Sequence, residues 1–226
     1  MLAVIKKELK SYLLSPIGYV FIGLFLLIFS IFFYVSIFMS KSVNFEYLFF
    51  NGATILTFIT PVLTMRMFSE ERKNGTEQLI LTSPRSITSI VLGKFFAAAI
   101  IMLITELCTF MYYGILNYFG KPSFLVSITT LGGFFLLSLS YISFGMFASS
   151  ITENQIVASV LTIGVFLGMW FFPDISGIFD VFSLISKFNN FPYGIISISE
   201  VITFVSFTVL FILLTIIILQ RRKSVK

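Results

Sequence analysis

The residues of this chain that could do chemistry gather in one stretch, Arg66–Ser86, which reads RMFSEERKNGTEQLILTSPRS. Glu70, Glu71, Arg72 and Lys73 lead into Asn74-Gly75, and Thr76, Glu77 and Gln78 follow, ahead of Leu79, Leu81 and Pro84. Elsewhere, Glu106 is an acid set well inside an apolar run. The chain has no histidine and a single cysteine, Cys108. That composition excludes most metal sites, a disulfide framework and any Cys–His or Ser–His pair. Neither a Walker-type phosphate loop nor a GxSxG elbow occurs, so no catalytic residue and no cofactor is expected on this chain. What remains for acids, bases and leucines on a short helix-competent segment is recognition: ion pairing, hydrogen bonding and apolar docking in a partner's groove.

The elements that must position these residues lie in a membrane. The chain has 226 residues, of which 58% are hydrophobic and 11% charged. A soluble domain of this size needs more polar residues to cover its surface. A helix crosses a bilayer with about 20 apolar residues. Stretches near 17–39, 45–67, 87–118, 124–149, 156–172 and 201–219 meet or approach that length. Continuous apolar runs argue for helices rather than the alternating strands of a barrel. The expectation is an all-α integral membrane protein with six transmembrane helices. With both termini in the cytoplasm, only Lys41, Lys121 and Lys187 among the basic residues fall outside. That distribution obeys the positive-inside rule, and the net charge of +5 reflects topology rather than a nucleic-acid stripe.

Residues 1–15 precede the first span. Leu2, Ile5, Leu9 and Leu13 recur at helical spacing while Lys6, Lys7 and Lys10 gather elsewhere, which reads as an amphipathic helix in the membrane interface. A signal peptide is the alternative, opposed by the length of the next apolar run and the lack of a small-residue cleavage site. In the polar loop, residues 69–86, Met65–Lys73 can continue the second helix until Asn74-Gly75 stops it. Thr76 can cap a new helix, with Glu77 in its first turn, and Ser86 can cap the third span. The short helix either sits in a partner's groove or lies on lipid; its acid and lack of base favour the groove.

Three further features leave alternatives open. Residues 173–200 are too broken by Gly and Pro for a span and too apolar for a free loop. They read as short re-entrant helices before the sixth span, or as an apolar external hairpin. Glu106 lies about 20–25 Å along its helix at about 1.5 Å per residue, and must face the bundle interior, pair or take a proton. It lines a substrate path or makes a structural hydrogen bond to a neighbouring helix. Gly164 and Gly168 allow close helix approach, at a subunit interface or within one subunit. Thr152-Glu153-Asn154-Gln155 reads as a capping box opening the fifth span.

Pro61–Phe95, PVLTMRMFSEERKNGTEQLILTSPRSITSIVLGKF, resembles the signature region of ABC-2 type transporter permeases. The opening KKELKSYLLSPIGYVFIGLFLL and the ending FNNFPYGIISISEVITFVSFTVLFILLT resemble the branch of the gliding-motility (Gld-type) and Nos-type permeases. Where that family commonly has an acid two places after the Gly-Thr pair, this chain has Gln78, with Glu77 beside it. The resemblance spans nearly the whole chain and implies a single transmembrane domain, 1–226. It implies that Thr76–Leu81 is a coupling helix between the second and third spans, contacting a separate ABC ATPase subunit that holds ATP and Mg. It further implies a second permease copy or paralogue and a place in the bacterial inner membrane. The function expected is an ATP-driven exporter subunit. Alternatives are mechanical coupling to an external accessory subunit without a diffusible substrate, or a secondary transporter. An intramembrane enzyme is opposed by the missing histidine and nucleophile motifs.

Overall fold

A computed structural model describes residues 1–39, 45–83, 85–120, 122–171 and 183–225. These form α1 (Leu2–Leu14), α2 (Pro16–Tyr34), α3 (Phe45–Thr64), α4 (Ser69–Lys73), α5 (Glu77–Leu81), α6 (Ile87–Phe119), α7 (Phe124–Ile151), α8 (Gln155–Phe171), α9 (Leu184–Phe188) and α10 (Ile198–Val225). A π-helical turn, Val35–Met39, extends α2, and a 3₁₀ turn, Phe191–Tyr193, precedes α10. No strand occurs among the described residues. Pro16 opens α2 at a position where its missing N–H costs nothing, which separates α1 from α2 at Ser15.

Among the described residues five helical segments are long and apolar enough to cross a membrane: Pro16–Ile37, Leu48–Lys73 (α3 with the turn and α4 that follow it), Ile87–Tyr118, Phe124–Ile151 and Ile198–Ser224. The helix that was expected as the fifth span is shorter, at 17 residues. Of the expected external segment, residues 173–182 lie outside the described residues, as do Lys41 and Lys121. What is described of it is α9 and the 3₁₀ turn, both short.

The bundle is organised around α7, which packs against α3, α6, α8 and α10. Small residues make this possible: Ser127, Ser138, Ser140, Ser143, Gly145, Ala148 and Ser149 are buried along it. A Cβ at Gly145 would collide with the Thr64 side chain, so that side chain packs directly on the backbone of α7 and draws α3 close at one end. A Cβ at Gly133 would collide with the Phe191 ring, which seats the 3₁₀ turn on the other end of α7. Phenylalanines fill what lies between. The rings of Phe25 and Phe29 stack at 4.5 Å, and Phe134 meets Phe49 edge-on at 5.0 Å. Tyr141 stacks on Phe166 at 3.8 Å, fixing α8 to α7. Many of the phenylalanines among the described residues are thus core, each pair adding about 0.5–1.5 kcal/mol beyond its burial.

Candidate functional site

The polar loop leaves the bundle through a turn, not through a continued helix. The expectation that α3 runs on to Lys73 is corrected here: helical bonding pauses over residues 65–68 and resumes in α4. The reason is local competition by serine hydroxyls. Ser149 Oγ, fully buried on α7, accepts from the Phe68 and Ser69 N–H groups, both at 3.1 Å. It donates to the Met65 carbonyl at 2.9 Å, and Ser69 Oγ donates to the same carbonyl. The loop is therefore rooted in α7 by one side chain that serves several backbone groups. Acids in the first turn of α4 and bases in the last agree with its dipole, and Arg66 pairs with Glu70 at 2.9 Å. Asn74 ends α4, and Gly75 turns the chain at φ +72°, a conformation that glycine adopts without a steric penalty.

A buried lysine joins this loop to α1 and α6. Lys94 Nζ, on α6, lies 2.8 Å from Glu71 on α4 and 3.2 Å from Glu8 on α1. It also sits 5.3 Å from the Phe68 ring centroid, within cation–π range. Lys94 is 3% exposed, a burial that an ammonium tolerates only when paired. Two carboxylates share one ammonium, and the second oxygen of Glu71 is buried with no hydrogen-bond partner among the described residues. Beside them the Tyr12 hydroxyl donates to the Leu63 carbonyl at 3.3 Å. Burial, reinforced by Glu8, pushes the Tyr12 hydroxyl well above its usual range, so it remains a neutral donor. A cleft of about 390 Å³ opens between α1 and the loop, lined in part by Lys7, Arg66, Glu70 and Leu79.

On the other side, arginines close the loop against the ends of α7 and α10. Arg222 Nη1 lies 2.9 Å from Glu77 on α5. Arg72 pairs with Glu153 at 2.7 Å. Arg72 and Arg222 both donate to the Ile151 carbonyl, at 3.0 and 3.5 Å, where α7 ends and its dipole favours cations.

The structure thus sorts the residues that the sequence singled out. Glu70, Glu71 and Glu77 are braces to the chain's own cations. Gly75, Thr76, Gln78 and Leu79 form the exposed tip, and Leu79 is 72% exposed. Leu81 ends α5; its side chain and Pro84 lie outside the described residues. Thr76 does not use its hydroxyl as expected: it donates back to the Glu71 carbonyl at 3.1 Å, holding the turn closed. Ser86 caps α6 as expected, accepting from the Ser89 N–H at 3.3 Å. The capping box at the start of α8 is corrected. Asn154, not Thr152, caps that helix by accepting from the Ile156 N–H at 2.9 Å, while Thr152 accepts from the Asn154 N–H.

Sequence reasoning missed Glu8, Lys94, Arg222 and Ser149. A signal existed for Lys94, which falls in a stripe with Ile87, Ile90, Val91 and Ala98 on the buried face of α6. Ser149 gave none, because its role depends on where α3 breaks.

Glu106 faces inward, 3% exposed, yet neither carboxylate oxygen has a hydrogen-bond partner among the described residues. The expected bond to a Ser, Thr or Tyr of a neighbouring helix is not made; Thr105 and Thr109 donate to their own helix. Gly164 is exposed with open space around its Cβ position, and Gly168 is half-buried, so among the described residues Gly164 mediates no close packing.

In comparison with known protein families, residues 40–219 match the family described as ABC-2 family transporter protein. Comparison with curated proteins returned no match.

Proposed function

Because this chain belongs to the ABC-2 family of transporter proteins, we propose that its polar loop is the element through which a separate ATPase drives the bundle. Family membership makes the chain a multi-pass transmembrane permease subunit of an ABC transporter and implies an ABC ATPase partner. On our reading α5 is the coupling helix, and ATP and Mg are bound and turned over by the partner alone. The observation that carries this is the division of labour within the loop. Glu70, Glu71 and Glu77 are each committed to an internal ion pair, whereas Leu79, Gln78 and Thr76 stand exposed at its tip. An exposed leucine on a braced helix is the form of an apolar anchor for a protein groove.

The finer reading follows from the resemblance of the sequence. α8 serves as a fifth, short span, which brings the spans to six, and α1 lies in the interface. Both termini and the loop face the cytoplasm, across a bacterial inner membrane, and the segment before α10 re-enters the outer leaflet. A second permease copy or paralogue completes the transporter, with Gly164 and Gly168 on α8 at the boundary. We place the chain in the Gld-type and Nos-type branch and read the movement as export, with an external accessory subunit as a further partner. The test is purification of the tagged chain from native membranes: an ABC ATPase in stoichiometric yield supports the reading, and its reproducible absence refutes it.

A further inference from the structure

We propose that the outer face of α1 is a docking surface for anionic phospholipid headgroups. The helix has two faces with separate duties. Its inner face is already occupied. Val4 packs on Gly93 so closely that a Cβ there would approach to 2.7 Å, Glu8 pairs with Lys94, and Tyr12 is buried with its hydroxyl on α3. Its outer face is bare. Leu2, Leu13 and Leu14 are 80%, 40% and 73% exposed. Together with Ile5 and Leu9 they form a shallow apolar groove, flanked by Lys6 and Lys10.

The charges are segregated to match. Lys6 and Lys10 are exposed and one helical turn apart, so their ammoniums stand on the same edge of the groove. The only acid of the helix, Glu8, points the other way and is neutralised by Lys94. The outer face is therefore apolar along its axis and purely cationic at its rim, which suits acyl chains beneath phosphate-bearing headgroups. A second copy of this chain is a poor occupant, because like faces would bring their lysines together. The proposal rests on the reading of α1 as an interfacial helix, but not on the identity of the ATPase. Its failure would leave the co-purification test untouched.

The experiment uses the full chain with Leu2→Cys in a Cys108→Ser background, labelled with an environment-sensitive fluorophore and reconstituted in mixed vesicles of phosphatidylcholine and phosphatidylglycerol. Bromine quencher is carried on one lipid class or the other at equal mole fraction. The expected result is stronger quenching by brominated phosphatidylglycerol. Each lysine contributes about a fivefold local enrichment of anionic lipid, the equivalent of about 1 kcal/mol. Lys6→Gln with Lys10→Gln should abolish the preference while quenching itself persists, and high salt should abolish it in the unsubstituted helix. Equal quenching by both lipids in low salt would show apolar insertion alone and overturn the proposal. So would no quenching by either lipid, which would mean that water or protein covers this face.

Discussion

Arg222 and Glu77 stand 145 residues apart in sequence, yet their side chains meet at 2.9 Å. The contact ties the end of the last long helix to the short helix at the tip of the loop. α10 in turn packs along α7, so α5 is linked through Arg222 to the centre of the bundle and not only to its own flanking helices. At its other end α10 is held by Glu200, which accepts from Asn190.

The pair is largely shielded from solvent, with side-chain exposures of 23% and 14%. Glu77→Arg should therefore lower stability by about 1.5–3 kcal/mol, the worth of a hydrogen bond to a charged group. Arg222→Glu should do the same, and the double exchange should recover most of the loss. Thermal unfolding of the reconstituted chain, read as a double-mutant cycle, gives the coupling energy. A coupling energy near zero would separate the two helices.

Lys94→Met removes the cation from beneath two carboxylates and should be among the most destabilising single changes in the loop. Breaking a buried pair by deleting one partner costs about 3–5 kcal/mol. Glu71→Gln should cost less, since the amide still accepts from Lys94 and Glu8 still neutralises it. Denaturant unfolding in a single lipid or detergent condition ranks the two; equal losses would contradict the shared-ammonium arrangement.

Ser149→Ala should loosen the root of the loop without disturbing the bundle. It leaves the Phe68 and Ser69 N–H groups without their acceptor, at about 1–3 kcal/mol for unsatisfied buried groups. Limited proteolysis within residues 66–86 should accelerate, while cleavage elsewhere stays at its original rate.

Much of this was legible beforehand, for reasons that differ by residue. The apolar runs fix long helices through composition alone, and Gly75 announces a turn because few other residues accept its φ. Ser86 was legible as a cap because its signal is local. Thr152 misled, because Asn154 offers the same bond two residues later and helix α8 starts there. The ion pairs of Lys94 and Arg222 were not legible, since they join elements brought together only by tertiary packing. The acids of the loop, read from the sequence as partner contacts, also brace the chain itself.

Glu106 changes an expectation as well. A partnered carboxylate should suffer more from Glu106→Leu than from Glu106→Gln. With both oxygens buried and unpartnered among the described residues, the order reverses: Leu should be neutral or stabilising by up to about 3 kcal/mol, the cost of the unsatisfied groups it removes. Unfolding of both variants decides it. Destabilisation by Leu alone would show that the carboxyl serves a donor in the assembled transporter.

Coupling through α5 depends on the exposed tip of the loop. Leu79→Asp changes no ion pair of the loop and leaves the bundle intact, so insertion and thermal stability should hold. Loss of a desolvated apolar anchor costs over about 2 kcal/mol of binding, so the ATPase retained by the tagged chain should fall by at least about thirtyfold in affinity. Titration of the purified ATPase against reconstituted Leu79→Asp and unsubstituted chain measures this. A large loss of affinity with an intact fold is the outcome expected; equal affinities would show that α5 does not carry the coupling contact.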